Sequence, residues 1–422
     1  MNKFITTTVE EVAENFDNIR VPLSSKQRKD IAKIFPYYGA QSIIDYVDDF
    51  LFDGEYILVA EDGENLKSQN NNVCNLVDGK FWVNNHAHII KGKDGNNTKY
   101  LCYYLNLMNF KPFVTGSAQP KLTKDNLNSI PLKIHNKLEQ KQIAKVLSDL
   151  DSKIEINNKI NQELEAMAKT LYDYWFVQFD FPFDFAQRKP DKKGKPYKSS
   201  GGKMVYNEEL SREIPEGWEV KNLTKEMDLQ YGFPFSTKLF NSDGKGVPVI
   251  RIRDILNCSI SNYSTEEVDE KYRLNKGDIL VGMDGNFHIN YWNKENCYLN
   301  QRSLRIRSRD NSISEIQARY SIEPYIKARE KNVSRTTVAH LSARDVNDLK
   351  VLKAIGEIQS AANSFFKSNL DKIVSNREQN QKLSELRDWL LPMLMNGQVS
   401  VGYAAQEVEN LGMVAERGEE YK

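Results

Sequence analysis

Arginine recurs through NQRSLRIRSR (300–309), where Arg302, Arg305, Arg307 and Arg309 alternate with Leu304 and Ile306. Read as a strand, this pattern turns the guanidinium groups to one face and the apolar side chains to the other. Asn300 and Gln301 head the same run, and RIR supplies Arg251 and Arg253 on a second small basic strand. Guanidinium groups hold phosphates or read guanine bidentately, and amide side chains read adenine edges. The chemistry such residues suit is contact with double-stranded DNA; a solvated strand face is the alternative for any one of them. Earlier in the chain, VNNHAHIIKGK places Asn84, Asn85, His86, Lys91 and Lys93 at corresponding positions.

Residues for bond-making chemistry are missing by comparison. No Walker A sequence, HExxH, CxxC pair, GxSxG elbow or dinucleotide-type glycine loop occurs. His86 and His88 share a strand face but have no evident cysteine or carboxylate partner, so no metal is expected. Asp62 and Asp284 precede glycine and read as hairpin devices rather than catalytic carboxylates. The chain is expected to be no enzyme on its own and to bind no cofactor.

Composition sets broad bounds. Lys+Arg and Asp+Glu balance at 58 each, which excludes a blanket polycation while allowing local basic faces. At 40% hydrophobic and 27% charged residues, the 422-residue chain has a globular composition with room for several cores. Cys74, Cys102, Cys258 and Cys297 have neither metal-like spacing nor disulfide-scaffold density. MNKFITTTVEEVAENF lacks a signal-peptide apolar core, and no run approaches the ~18 to 20 apolar residues of a membrane span. These features point to a cytoplasmic protein with no membrane partner.

The elements that would position the polar residues come in two copies. Ile143, Leu147, Leu150, Ile154, Asn157, Asn161, Leu164, Ala168, Leu171 and Trp175 alternate spacings of four and three, a coiled-coil seam. Over 143–175 that is a helix of about 50 Å at ~1.5 Å per residue. The run returns 219 positions later, with Ile373 for Ile154, Asn376 for Asn157, Asn380 for Asn161 and Leu383 for Leu164. A single helix cannot bury its own seam. The two runs are therefore expected to pair within the chain, antiparallel because a module lies between them, with Asn157, Asn161, Asn376 and Asn380 fixing register. Two separate amphipathic helices, each packed on its own module, are the alternative.

Each helix follows a module rich in short strands and turns. DDFLFDGEYILVAEDG (48–63) is echoed by KYRLNKGDILVGMDG (271–285), VNNHAHI (83–89) by LNQRSLR (299–305), and LTKDNLNSIPL (122–132) by LSARDVNDLKV (341–351). YLCYYLNLMNF (100–110) suggests a short helix on the first module. The fold class is α+β: two domains of mixed strands and short helices, separated by a long antiparallel two-helix coiled coil. The boundaries are 1–134 for the first module, 135–178 for the first long helix, 179–215 for a linker, 216–353 for the second module, 354–391 for the second helix and 392–422 for a tail. The Lys-, Gly- and Pro-rich stretch from Arg188 to Lys203 is expected to be a flexible exposed loop, and the final RGEEYK to fray.

The duplicated plan, together with EQKQIAKVLSDLDSKIEINNKINQELEAMAKTLYDYWFVQFDFPF, REIPEGWEVKNL and the LSARDV exit, resembles the DNA-specificity subunits of type I restriction–modification systems. The resemblance runs from about Phe35 to Gln398. It implies two target-recognition domains, each reading half of a bipartite, asymmetric DNA site, with the helices setting half-site spacing. It also implies partners: two methyltransferase subunits, and two restriction subunits in the full complex. On this reading the helix ends, with Trp175, Phe176, Phe181, Leu390 and Leu394, touch methyltransferase. The recognition residues are Asn84, Asn85, His86 and Lys91 in the first domain and Arg251, Arg253, Asn300, Gln301, Arg302, Arg305 and Arg307 in the second. The IPxGW entry of the second module has no counterpart in the first, which leaves the first module's opening strand undefined. The rival from another class is a protein-binding scaffold with duplicated modules.

Overall fold

The computed structural model describes residues 4–66, 72–116, 120–187, 189–191, 193–331 and 339–420. They divide into two units, Met1–Ile154 with Lys382–Lys422, and Glu155–Gln381.

In the first unit, four antiparallel strands run in the order Ala13–Asn15, Ala87–Gly92, Tyr56–Ala60, Cys74–Val77. Ile57, Val59 and Ile90 turn one face of this sheet into a core completed by Tyr100, Leu101 and Leu105 of the helix Thr98–Asn106. A second sheet orders Ile43–Val47, Phe35–Tyr38, Lys80–Val83, Phe52–Asp53, with the middle two strands parallel. Between Val77 and Lys80, Gly79 takes a φ of 89°, which glycine adopts without steric cost. That turn sends the chain from one sheet into the other.

The second unit repeats this topology. Its antiparallel sheet orders Met227–Tyr231, Ser303–Ser308, Ile279–Gly282, Ile289–Tyr291. Its second sheet has five strands and again one parallel pair, Val247–Ile250 beside Cys297–Leu299. The repetition reaches the module openings. Phe4–Thr8 pairs antiparallel with Pro131–His135 as Glu219–Asn222 pairs with Lys350–Lys353. Each opening strand leads into a four-residue helix, Val9–Val12 or Leu223–Glu226. The first module thus has its opening strand without an IPxGW sequence. Trp218 of that sequence instead packs against Phe176, Phe179 and Phe181.

Two long helices, α1 (Lys137–Tyr172) and α2 (Gly356–Met395), contribute to both units. In the first, Leu147 and Leu150 of α1 share a core with Leu383 and Leu390 of α2, and Asp151 accepts from Arg387 at 2.7 Å. In the second, Asn157 donates to Asn380 at 2.8 Å and to Gln379 at 2.7 Å. Asn376 donates to Asn161 at 2.9 Å, and Asn380 donates to Asn158 at 2.8 Å. All four seam asparagines are buried, so these bonds meet polar demands that an apolar seam would leave unpaid. α2 passes through Pro392, and a further helix, Val401–Glu420, follows.

The stretch expected to be a flexible loop is built on aromatics. Pro182–Asp184 pairs with Lys189–Pro190 and Lys195–Pro196, and Met204–Asn207 pairs with Arg212–Pro215. Phe181 stacks on Tyr197 and on Trp218, so the neighbouring lysines ride on a packed base. Arg188 and Lys192 of that expectation, and Tyr421 and Lys422 of the fraying terminus, lie outside the described residues.

Candidate nucleic-acid interface

In both units the polar triple sits where the chain crosses between sheets. Asn84–His86 joins Lys80–Val83 to Ala87–Gly92, and Asn300–Arg302 joins Cys297–Leu299 to Ser303–Ser308. The backbone is held the same way in each. Asn84 N–H donates to Tyr38 O at 3.0 Å, as Asn300 N–H donates to Ile250 O at 2.9 Å. Glu61 N–H donates to His86 O, and Met283 N–H to Arg302 O, both at 2.9 Å.

The second unit's tip opens onto a concavity of about 420 Å3, lined by Arg251, Ile252, Arg253, Asn286, His288, Asn300, Gln301 and Arg302. Five of the seven residues singled out for this module in the sequence thus meet at one surface. Arg253, Gln301 and Arg302 are exposed. Among the described residues Arg253 has no hydrogen bond or ion pair, and Asn300 Oδ1 has no partner. Arg251 is half-committed, donating to Ser261 Oγ at 2.6 Å beside Asp254. Arg302 is held at a φ of 64°, a left-handed conformation unusual for a side chain of its size, of the kind that concentrates at functional sites. Gly232 explains how the tip stays in place: a Cβ there would lie 1.8 Å from Asn300 O, so only glycine permits this approach.

Arg305 and Arg307 are placed otherwise. They do leave the apolar face, as their alternation with Leu304 and Ile306 requires, but the chain around Arg273 covers that opposite face. Arg305 is 4% exposed, pairs with Asp228 and donates to the carbonyls of Lys271 and Arg273. Arg307 grips the buried Asp278 with two bonds, at 2.6 and 2.7 Å. Burial pushes Asp278 above the usual carboxylate range, opposed by Arg307. Their donors serve the fold, and the exposed cations at the tip are Arg253 and Arg302.

In the first unit Asn85 and His86 are exposed, whereas Asn84 is buried and accepts from His86 N–H at 2.8 Å, shaping the tip. Lys91 lies 4.9 Å from the centre of the Tyr56 ring. His88 faces inward, bonded to Asp17 and to Leu122 O; burial pushes the Asp17 carboxyl up, but the hydrogen bonds from His88 and Ile89 N–H, with the nearby Arg20, together hold it below its usual range. Asp62 and Asp284 do more than end a strand. Asp62 pairs with His86 Nδ1 at 2.6 Å; Asp284 pairs with His340 Nδ1 at 2.5 Å and with Arg302 Nε at 3.5 Å. Their repetition beside a turn was the sequence signal available for this role.

The residues assigned to a methyltransferase contact are core residues. Phe176 and Phe181 pack inside the second unit, with Trp175 partly buried against them. Leu390 and Leu394 are buried in the first unit. The apolar side chains left in solvent on the second unit's part of α1 and just beyond it are Ile156, Ile160, Met167, Tyr174 and Val177. No group of His, Cys, Asp or Glu able to hold a metal, and no helix long and apolar enough to cross a membrane, occurs among the described residues.

Two copies of one α+β module, each with a polar crossing between its sheets, define an internally duplicated protein. Residues 1–166 and 215–385 match the model of the type I restriction modification DNA specificity domain, so the chain belongs to that family of DNA-recognition subunits. It is 42% identical over 142 residues to a putative type I restriction enzyme specificity subunit of Haemophilus influenzae, a match covering 34% of this chain and 36% of that protein. It is 26% identical over 327 residues to the MjaIX specificity subunit of Methanocaldococcus jannaschii, covering 73% of this chain and 71% of the relative. The crystal structure of a type I restriction–modification S subunit from M. genitalium shares the fold, with a TM-score of 0.58, 16% identity and coverage of 93% and 96%.

Proposed function

We propose that each unit reads one half of a bipartite, asymmetric duplex site through its polar tip. The observation that carries this reading is one backbone frame presenting different side chains: Asn84, Asn85 and His86 in one unit, Asn300, Gln301 and Arg302 in the other. A reader of two unlike half-sites needs the frame constant and the tip variable. Arg302 suits guanine, Gln301 and Asn85 suit adenine, and Arg251, Arg253 and Lys91 suit phosphate.

α1 and α2 act as an antiparallel coiled coil that sets half-site spacing, with the four asparagines fixing register. Partner order supports this, since Asn157 meets Asn380 and Asn161 meets Asn376. The chain holds two methyltransferase subunits and, in the full complex, two restriction subunits; flipping of the target base belongs to the methyltransferase. Ile156, Ile160 and Met167 provide the apolar contact for that partner. The test is competition binding of the full chain with its methyltransferase to duplexes of random and selected sequence across a salt series. Selective binding that weakens steeply with salt is expected; affinity for neither duplex would favour the scaffold.

A further inference from the structure

We infer that Asp62 and Asp284 are specificity-determining positioning residues, each aiming the recognition side chain of its own unit. The inference rests on the half-site reading and names what orients the tips.

The arrangement occurs twice, built from different side chains. In each unit an aspartate one residue beyond the Glu61 or Met283 backbone bond reaches across to the third residue of the triple. Both aspartates form an isolated antiparallel backbone bridge, Asp62 with Lys121 and Asp284 with His340. Both carboxylates are only partly exposed, at 29%, whereas His86 and Arg302 are 52% and 60% exposed. The anchored end of each pair is therefore the carboxylate, and the end in solvent is the recognition side chain.

The chemistry of each pair fits recognition. A carboxylate at His86 Nδ1 accepts a hydrogen bond there and leaves Nε2 as the imidazole atom free to face a base. A carboxylate at Arg302 Nε engages the side of the guanidinium and leaves the two terminal nitrogens, the pair that meets guanine O6 and N7. Asp284 also holds His340, which fixes the carboxylate from a second direction. Mobile side chains read poorly. An anchored one arrives with its rotamer already set.

The test uses the full chain assembled with its methyltransferase, scored on duplex panels varied one base at a time through both half-sites. Variants are Asp284→Asn, Asp62→Asn, Arg302→Gln and the Asp284→Asn, Arg302→Gln double. Asp284→Asn is expected to lower discrimination about tenfold at one or two positions of the second half-site only, within the range of a lost bidentate base contact. Asp62→Asn should do so in the first half-site only. The unaffected half-site in each variant reports an intact assembly, and the double variant should match Arg302→Gln alone. Full discrimination in both aspartate variants, or additive losses in the double, would overturn the positioning role. Loss at both half-sites together would also overturn it, as damage to the fold. A wild-type assembly with no base preference would instead sink the half-site reading itself.

Discussion

Asn376 on α2 donates to Asn161 on α1 at 2.9 Å, in a seam where both side chains are almost wholly buried. Their equivalents form the neighbouring bond between Asn157 and Asn380 at 2.8 Å. Two amide pairs one turn apart are satisfied in one alignment of the helices. A slip along either helix would bury four polar groups without partners, at ~1–3 kcal/mol each.

Replacing Asn157 and Asn376 together with leucine should leave the chain folded while allowing the helices to shift. Inter-helix cross-linking from cysteines placed along α1 and α2 would report a spread of registers, and half-site spacing should broaden. Unchanged spacing with a single register would show that the asparagines do not set alignment.

Arg302 and Arg253 should separate by kind of effect. Arg302→Ala is expected to relax base choice in the second half-site by ~1–3 kcal/mol. Arg253→Ala should weaken all duplexes alike and reduce the salt slope by about 1. Titrations of matched and mismatched duplexes at several salt concentrations measure both, and swapped behaviour would reverse the assignments.

Arg307→Met should destabilise the second unit by ~3–5 kcal/mol at neutral pH, because the buried Asp278 carboxylate would lose its guanidinium partner. The sign with pH follows from the raised titration of Asp278. Below the ordinary aspartate range the carboxyl is neutral in both folded and unfolded chains, so the penalty is smallest there. It grows as pH rises through the raised value. Denaturant melts at acid and neutral pH should show that trend, and a pH-independent loss would contradict it.

Ile160→Asp with Met167→Asp should leave stability nearly unchanged, since both side chains are in solvent. Co-purification with the methyltransferase should fall by about tenfold or more, as for loss of an interface anchor. Full assembly would move that contact elsewhere.

What could be read in advance follows from range. The seam of α1 was legible because a period of three and four depends only on neighbours along one helix, and the buried asparagines stood out within it. The tips at Asn84–His86 and Asn300–Arg302 were legible through internal repetition. Arg305 and Arg307 were not, because their exposure is decided by the covering strand at Arg273, which no local pattern announces. Phe181 and Tyr197 show the same limit: a Lys- and Gly-rich stretch reads as loop until its aromatics find Trp218. The opening strand Phe4–Thr8 was hidden because its pairing is with Pro131–His135, over a hundred residues away.

The most direct test of the central claim is a genome-wide adenine methylation map from cells carrying the methyltransferase subunit with and without this chain. A bipartite motif is expected that depends on the chain and whose halves change separately, the second with Arg302→Ala and the first with His86→Ala. A single continuous motif, or one in which either substitution alters both halves, would contradict two independent reading units.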